Sequence, residues 1–207
     1  MINPLIVFLA TAAWGALHSW LASFGTKRLA RRIFGPGIDR YYRLIFVLLA
    51  VVTLLPILAL VFFLPSRVLW VIPFPWVLLT IGVQFLALVM LVATTLETDV
   101  MAFIGLRQVF RPNAEHKDTL VIKGFYRFVR HPLYFFSIII FWLFPYMTDL
   151  TLAFFLAGTL YFMIGTIPEE RKLLEIFGEE YRQYRQEVPW IFPRFKKRKS
   201  KTLVDRL

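Results

Sequence analysis

The residues best suited to chemistry are basic and acidic side chains at the borders of two apolar segments. In the stretch YRFVRHPLYFF, residues 126–136, Arg130 and His131 come directly before a long apolar run. Because Pro132 lacks an amide proton and favours the first helical position, a helix is predicted to begin there. Its unpaired N–H groups and dipole, together with Arg130, would form a site for a small anion such as a carboxylate.

Two acidic residues follow the next apolar segment. Glu169 and Glu170 come directly after Pro168, and the short connection at residues 146–150 predicts an antiparallel hairpin. The hairpin would return the acids to the membrane face where Arg130 lies. Two simpler interpretations stay open: the arginine reaches lipid headgroups at a span end, and the acids stabilise the first turn of a following helix.

Together these side chains offer the partners that S-adenosylmethionine requires. Its carboxylate would meet the helix start with Arg130, its ammonium the glutamate pair, and its flat base the aromatic rings nearby. The candidate rings are those of Phe125, Tyr126 and Tyr134. The chain contains no cysteine, so any sulfur chemistry must come from a substrate or cofactor, and we expect no metal site.

The elements that must position these residues are membrane helices. The 207 residues are 58% hydrophobic and 18% charged, which is more apolar than a soluble domain of this size. Since backbone polar groups cannot be left unpaired in hydrocarbon, we predict an all-α polytopic membrane helix bundle. It has five transmembrane helices and a C-terminal cytoplasmic amphipathic helix that follows Pro168. The predicted spans are residues 2–24, 43–64, 76–96, 132–147 and 150–167.

Lysine and arginine set the predicted orientation. Residues 25–43 and 97–131 carry six each and residues 168–207 carry eleven, whereas Arg67 alone lies between the second and third spans. The positive-inside rule then places the N-terminus outside and the C-terminus in the cytoplasm, and we expect a prokaryotic inner membrane. The net charge of +11 is explained by topology and by contacts with membrane lipid, not by binding to nucleic acid.

Five stretches of this sequence resemble a known family. GFYRFVRHPLY (124–134) and EERKLLEIFGEEYRQYRQEVPWIFP (169–193) resemble the C-terminal signature of integral-membrane methyltransferases, typified by isoprenylcysteine carboxyl methyltransferase and phospholipid N-methyltransferases. LHSWLASFGTKRLARR (17–32), YYRLIFVLLA (41–50) and GLRQVF (105–110) are similar to the branch that contains methanethiol S-methyltransferase and the NnrU-like membrane proteins.

The resemblance implies S-adenosylmethionine bound in a cytoplasmic pocket, with the methyl acceptor arriving from the membrane. The residues that it implies for cofactor binding are Gly124, Tyr126, Arg130, His131, Pro132, Tyr134, Glu169 and Glu170. No long Gly/Ser linker divides the chain. We therefore expect one membrane methyltransferase-like domain over residues 1–193, with its cofactor half at about 97–193, followed by a basic cytoplasmic tail over 194–207.

His18 lies late in the first predicted span, where an ionisable side chain normally has a partner or a function. It either forms a hydrogen bond between helices or lines the acceptor pocket. On the second interpretation we expect His18 to take part in catalysis together with Arg130 and Glu170.

The favoured hypothesis is an S-adenosylmethionine-dependent methyltransferase that acts on a small thiol such as methanethiol. Methyl transfer from a sulfonium depends mainly on alignment, so few acid–base groups are needed. An alternative acceptor is a prenylated-cysteine carboxylate or a phospholipid headgroup. Two further alternatives are a nicotinamide-dependent reductase, since sterol reductases share part of the C-terminal pattern, and a non-catalytic NnrU-like membrane protein. The sequence gives no oligomeric state.

Overall fold

The computed structural model describes residues 2–110 and 119–194, and nearly all of the predicted basic tail lies outside them. The helices in these residues are α1 (Ile2–Leu21), α2 (Phe24–Phe34), α3 (Ile38–Phe63), α4 (Trp76–Leu96), α5 (Val100–Ile104), α6 (Leu106–Phe110), α7 (Pro132–Trp142), α8 (Asp149–Phe177) and α9 (Glu179–Glu187). A 3-10 turn covers Gly124–Arg127, and strands β1 (Val68–Val71) and β2 (Tyr146–Thr148) pair in antiparallel fashion. The predicted all-α membrane bundle is confirmed.

Four helices in the described residues, α1, α3, α4 and α8, are long and apolar enough to cross a membrane. Many of their large apolar side chains point outward, as expected for surfaces in contact with lipid: Phe62 and Phe63 are 77% and 85% exposed. The chain is an integral membrane protein.

The helix predicted over residues 132–147 is shorter in the structure. α7 ends at Trp142, and its 11 residues give a length of about 17 Å, against about 30 Å of hydrocarbon. Residues 146–148 form β2 instead, because they pair with β1, a strand much earlier in the sequence. The predicted count of five transmembrane helices is therefore not confirmed.

A second difference concerns Pro168. The sequence predicts a helix end there, but α8 continues through this proline to Phe177, as membrane helices often do. The chain breaks instead at Gly178, where φ is 54° and ψ is −119°, a conformation that favours glycine. Glu169 and Glu170 consequently lie inside a long helix, and they do not serve to start a new one.

The described chain forms two compact units, each assembled from three stretches of sequence. The first unit contains residues 2–71, 99–110 and 146–161; the second contains residues 72–98, 119–145 and 162–194.

In the first unit α1 packs against α3. The Nε1 atom of Trp14 donates hydrogen bonds to the carbonyl of Ala50 at 3.2 Å and the hydroxyl of Thr53 at 3.1 Å. Gly105, at φ 91°, lies so close to the backbone of Leu44 that a β-carbon there would overlap it. This contact seats the short helices α5 and α6 against α3. One buried cluster in this unit contains Val7, Leu150 and Ala153.

In the second unit α4 packs against α7, and the side chain of Gln84 donates a hydrogen bond to the carbonyl of Ile140 at 2.7 Å. A separate buried cluster forms around α9, and it contains Ile122, Tyr181, Tyr184 and Val188. The cluster holds α9 against the residues that precede α7.

Candidate active site

The residues that precede α7 are tied to the segment that follows α9. The backbone N–H of Arg130 donates to the carbonyls of Pro189 and Trp190, each at 2.9 Å, and the N–H of His131 donates to Trp190 at 3.2 Å. Pro132 begins α7 as predicted and is fully buried. The C-terminal segment therefore fixes the positions of both basic residues.

The guanidinium of Arg130 joins α8 to α9. Its Nε donates to Oε1 of Glu170 at 2.8 Å, and its Nη1 donates to the carbonyls of Arg185 at 3.0 Å and Val188 at 2.8 Å. Carbonyls at the end of a helix lack partners within it, and a cation there also suits the helix dipole. The Arg130 side chain is only 12% exposed, so it does not extend to a lipid headgroup.

His131 lies between the two glutamates that the sequence singled out. Its Nε2 is 3.2 Å from Oε1 of Glu170, and its Nδ1 is 3.7 Å from Oε2 of Glu169. The hydroxyl of Tyr134 donates to Oε2 of Glu169 at 2.8 Å, and its ring stacks on His131 with the centroids 5.5 Å apart. Five of the predicted residues, including Arg130, thus form one connected cluster.

The two glutamates have different environments. Glu170 is 14% exposed; its Oε1 is shared by Arg130 and His131, and its Oε2 lies 3.8 Å from Nη1 of Arg185. Glu169 is 45% exposed and bonds to Tyr134. Glu170 therefore organises the basic residues, whereas Glu169 is the more exposed of the two and accepts from Tyr134.

The structure explains why residue 124 is a glycine, which the sequence alone did not suggest. It lies at φ 58°, and a β-carbon there would overlap the carboxylate of Glu97 at the end of α4. The N–H of Phe125 donates to Oε2 of Glu97 at 3.2 Å. Glu97 was missed in the sequence, although a carboxylate that directly follows an apolar span is itself a signal.

We predict that Gly124→Ala destabilises the protein. A left-handed conformation costs an alanine about 1–2 kcal/mol, and Glu97 must also move. The melting temperature in detergent should fall by roughly 2–8 °C. Gly37→Ala is the matched control, because Gly37 has φ −61° and no neighbouring atom within 4 Å of the added carbon. Equal melting temperatures for both variants would contradict the proposed overlap.

Three tyrosines near the cluster are held in their neutral form. The hydroxyl of Tyr184 donates to the carbonyl of Tyr126 at 2.7 Å. Burial raises the pKa of Tyr126 to about 12, and the charges of Glu169 and Glu97 add to this effect. Burial also raises the pKa values of Tyr181 and Tyr184.

These pKa values predict a loss of stability at high pH. The pKa of Tyr126 is higher in the folded protein than the value of about 10 in the unfolded protein, so its neutral form contributes to folding stability. This contribution is complete below pH 10 and is lost as the pH rises through about 12. At about pH 11 the folded protein should show fewer ionised tyrosines than the denatured protein by ultraviolet titration, and Tyr126→Phe should reduce that difference by about one. Equal tyrosinate counts in folded and denatured protein would contradict this prediction.

A cavity of about 450 Å³ opens beside the Arg130–Glu170 pair, within the 300–1,000 Å³ typical of small-molecule sites. Its lining residues are Arg130, Thr166, Ile167, Glu170, Arg171, Leu174, Arg185 and Trp190. The indole Nε1 of Trp190 donates to the hydroxyl of Thr166 at 3.0 Å, which fixes the ring in the wall. The cavity therefore combines cations, a carboxylate and an aromatic ring.

The charged and aromatic side chains in the cavity wall are the kinds of partner that the charged groups and the base of S-adenosylmethionine need. Arg171 and Arg185 could hold its carboxylate, Glu170 its ammonium and Trp190 its flat base.

Of the predicted cofactor residues, Arg130 and Glu170 line the cavity. His131, Tyr134 and Glu169 are connected to these two, and Pro132 directly follows His131. Gly124 and Tyr126 have their contacts with Glu97 and Tyr184 instead. Arg171, Arg185 and Trp190 were not singled out in the sequence, because arginine in an amphipathic helix and a tryptophan after it are common at any membrane surface.

His18 belongs to the first unit. Its ring lies 4.5 Å from that of Phe46, 5.2 Å from that of Trp14 and 5.9 Å from that of Tyr161, measured between centroids. Its Nδ1 is buried and has no hydrogen-bond partner among the described residues. His18 is thus part of an aromatic cluster, whereas Arg130 and Glu170 belong to the second unit.

Comparison with known proteins identifies the family. The family described as "Protein of unknown function (DUF1295)" matches residues 3–188. The chain belongs to this family. The DUF1295 chain is also 33% identical to the methanethiol S-methyltransferase of Mycobacterium tuberculosis over 187 residues, which cover 85% of this chain and 72% of the relative. No solved structure matches it.

Other relatives match more strongly over shorter segments. Methanethiol S-methyltransferase 1 of Bradyrhizobium diazoefficiens is 47% identical over 68 residues, and methanethiol S-methyltransferase of Crocosphaera subtropica is 40% identical over 93 residues. These segments cover 33% and 43% of the DUF1295 chain, and 24% and 36% of the relatives. The predicted resemblance to the methanethiol S-methyltransferase branch is confirmed.

Proposed function

We propose that this DUF1295 protein is an integral-membrane, S-adenosylmethionine-dependent methyltransferase that acts on a small thiol, with methanethiol as the simplest acceptor. The observation that carries the proposal is the cavity beside the Arg130–Glu170 pair, because its walls combine partners for a carboxylate, an ammonium and a flat base. The names of the relatives support the thiol as the acceptor.

S-adenosylmethionine, when bound, supplies a methyl group that passes to the acceptor sulfur, while S-adenosylhomocysteine is released and the thiol proton goes to solvent. The protein's part is positioning. Glu170 binds Arg130 and lies near Arg185, and Trp190 donates to Thr166, so these groups of the cavity wall have partners that position them before a ligand enters. A thiol with a pKa of about 8.5 is only partly ionised at neutral pH, and the arginines favour its thiolate form.

The first test is calorimetric titration of S-adenosylhomocysteine into the purified protein in detergent, with a reduced nicotinamide as the comparison ligand. We expect saturable binding of S-adenosylhomocysteine and none of the nicotinamide. The same protein should then form S-adenosylhomocysteine from S-adenosylmethionine only when a thiol is added. Binding of the nicotinamide alone would favour a reductase, and absence of both, in folded protein, would favour a non-catalytic role. Turnover with prenylcysteine or phospholipid instead of thiol would overturn the proposed acceptor.

The site lies on the cytoplasmic side in the proposed topology. α3 and α4 are consecutive and each is long enough to cross the membrane, so β1 between them lies at the face where α3 ends. β2 pairs with β1 and shares that face. The chain then crosses once more between residues 96 and 146, and the short α7 is the apolar helix available there within the described residues. In this proposal five crossings put the two termini on opposite sides, and the distribution of lysine and arginine supports an outside N-terminus and a cytoplasmic C-terminus in an inner membrane.

Fusion proteins test this topology. A C-terminal green fluorescent protein should fluoresce, and a C-terminal alkaline phosphatase should be inactive, because the first matures in the cytoplasm and the second outside it. An active C-terminal phosphatase would contradict the proposed orientation, and it would leave the binding experiment unaffected.

A further inference from the structure

The helix α2 connects the membrane-crossing helices α1 and α3 and has a distinctive composition. Its 11 residues, FGTKRLARRIF, include four basic residues and no acidic one. The hydroxyl of Ser23 accepts a hydrogen bond from the N–H of Thr26 at 3.2 Å, and the hydroxyl of Thr26 donates to the carbonyl of Trp20 at 2.6 Å. These bonds redirect the chain at the end of α1, so α2 begins at the membrane boundary.

The two faces of α2 differ in character. At 100° per residue, its four basic residues fall within one arc, and Leu29, Ala30 and Ile33 fall on the opposite side. No residue of α2 is buried, and Ile33 and Phe34 are 64% and 70% exposed. An exposed apolar face opposite a basic face is typical of a helix that lies in a membrane surface.

The four basic residues divide into two pairs. Lys27 and Arg31 lie 3.9 Å and 3.4 Å from the carboxylate of Asp39. Arg28 and Arg32 are exposed and form no ion pair within the described residues. They are four residues apart, so they project from neighbouring positions one turn apart. The charge of this second pair is available to an anion outside the protein.

We propose that α2 lies in the plane of the membrane surface and binds anionic phospholipid. The face containing Leu29 and Ile33 enters the acyl chains, and Arg28 and Arg32 bind the lipid phosphate. Guanidinium groups suit phosphate because they donate several hydrogen bonds in a fixed plane. The charge of the helix complements an anionic leaflet, and its place between two crossing helices brings it to that leaflet. This inference is independent of the methyltransferase proposal.

Spin labelling tests the orientation. Because the chain has no cysteine, Ile33→Cys and Arg28→Cys each give one labelled site in the full protein in phosphatidylglycerol vesicles. We expect the label at Ile33 to be relaxed mainly by oxygen, which concentrates in acyl chains, and the label at Arg28 mainly by a water-soluble nickel complex. Equal accessibility of both labels to the nickel complex would overturn the proposal.

Charge variants test the lipid contact, with the second pair as the matched control. Native mass spectrometry of the full protein in zwitterionic detergent would follow its titration with phosphatidylglycerol. Since each basic residue near an anionic surface contributes about fivefold or less, Arg28→Gln/Arg32→Gln should weaken binding by roughly 10- to 30-fold. Lys27→Gln/Arg31→Gln removes the same charge from the same helix but should weaken binding less than about threefold, since these residues already face Asp39. Equal effects of the two double variants, or unchanged binding in both, would overturn the proposal.

Discussion

Replacing Glu170 with glutamine is expected to abolish binding of S-adenosylhomocysteine. The substitution keeps the shape of the side chain but removes the charge that holds Arg130, His131 and Arg185. The carboxylate is 14% exposed, so its basic partners lose a mostly buried counterion. Loss of one partner in a charge pair across a binding interface costs about 2–5 kcal/mol, so loss of the proposed contact between Glu170 and the ligand's ammonium corresponds to a loss of affinity of roughly 30-fold or more. Calorimetry on the purified variant measures this directly.

Glu175→Gln is the matched control for this change. Glu175 lies on the same helix and is exposed, and the variant has the same change in net charge. It should bind S-adenosylhomocysteine like the unmodified protein. If Glu170→Gln retained full affinity, the ligand would not depend on this cluster, and the cavity would lose its assigned role.

Replacing Arg130 with lysine is expected to have the second largest effect. Lysine keeps the positive charge but has one nitrogen, so it lacks the two separate positions from which Nε of Arg130 donates to Glu170 and Nη1 donates to the carbonyls of Arg185 and Val188. The end of α9 then loses partners for its carbonyls, and hydrogen bonds from a charged donor are worth about 1.5–3 kcal/mol each. We expect both a lower melting temperature and a loss of ligand affinity of about tenfold or more.

Arg182→Lys serves as the control, because Arg182 lies on α9 and makes an exposed pair with Glu179. It should change neither property, since exposed pairs contribute little. A normal melting temperature in Arg130→Lys would show that lysine can donate hydrogen bonds to the carbonyls at the end of α9, and it would contradict the predicted loss of stability. A lower melting temperature with full ligand affinity would restrict the role of Arg130 to stability.

Local patterns in the sequence predicted much of the fold and the core of the site. The start of α7 follows from the preference of Pro132 for the first helical position, and the bounds of α4 follow from its mostly apolar run without charged residues. The hairpin argument predicted that Arg130 and His131 would lie near Glu169 and Glu170, and the structure brings these residues together. The family pattern named the same residues.

The features that the sequence did not predict depend on contacts between distant residues. The end of α7 at Trp142 is determined by the pairing of β2 with β1, about 75 residues earlier in the chain. The carbonyls that accept from Arg130 come from a segment more than 50 residues later. The contact between Gly124 and Glu97 is of the same kind. Every residue has a backbone carbonyl whatever its type, so the spacing of residue types in the sequence does not show which carbonyls accept from Arg130.

The interleaved order of the second unit has a consequence for biosynthesis. Arg130 receives its backbone partners from residues 185–190, close to the end of the described chain. A nascent chain that has already inserted α1, α3 and α4 therefore still lacks the acceptors for this arginine. The site can close only after the ribosome has released the segment that follows α9. We expect released chains that end before Pro189 to be open at this end and accessible to added protease, whereas released chains that extend past Ile191 should be protected.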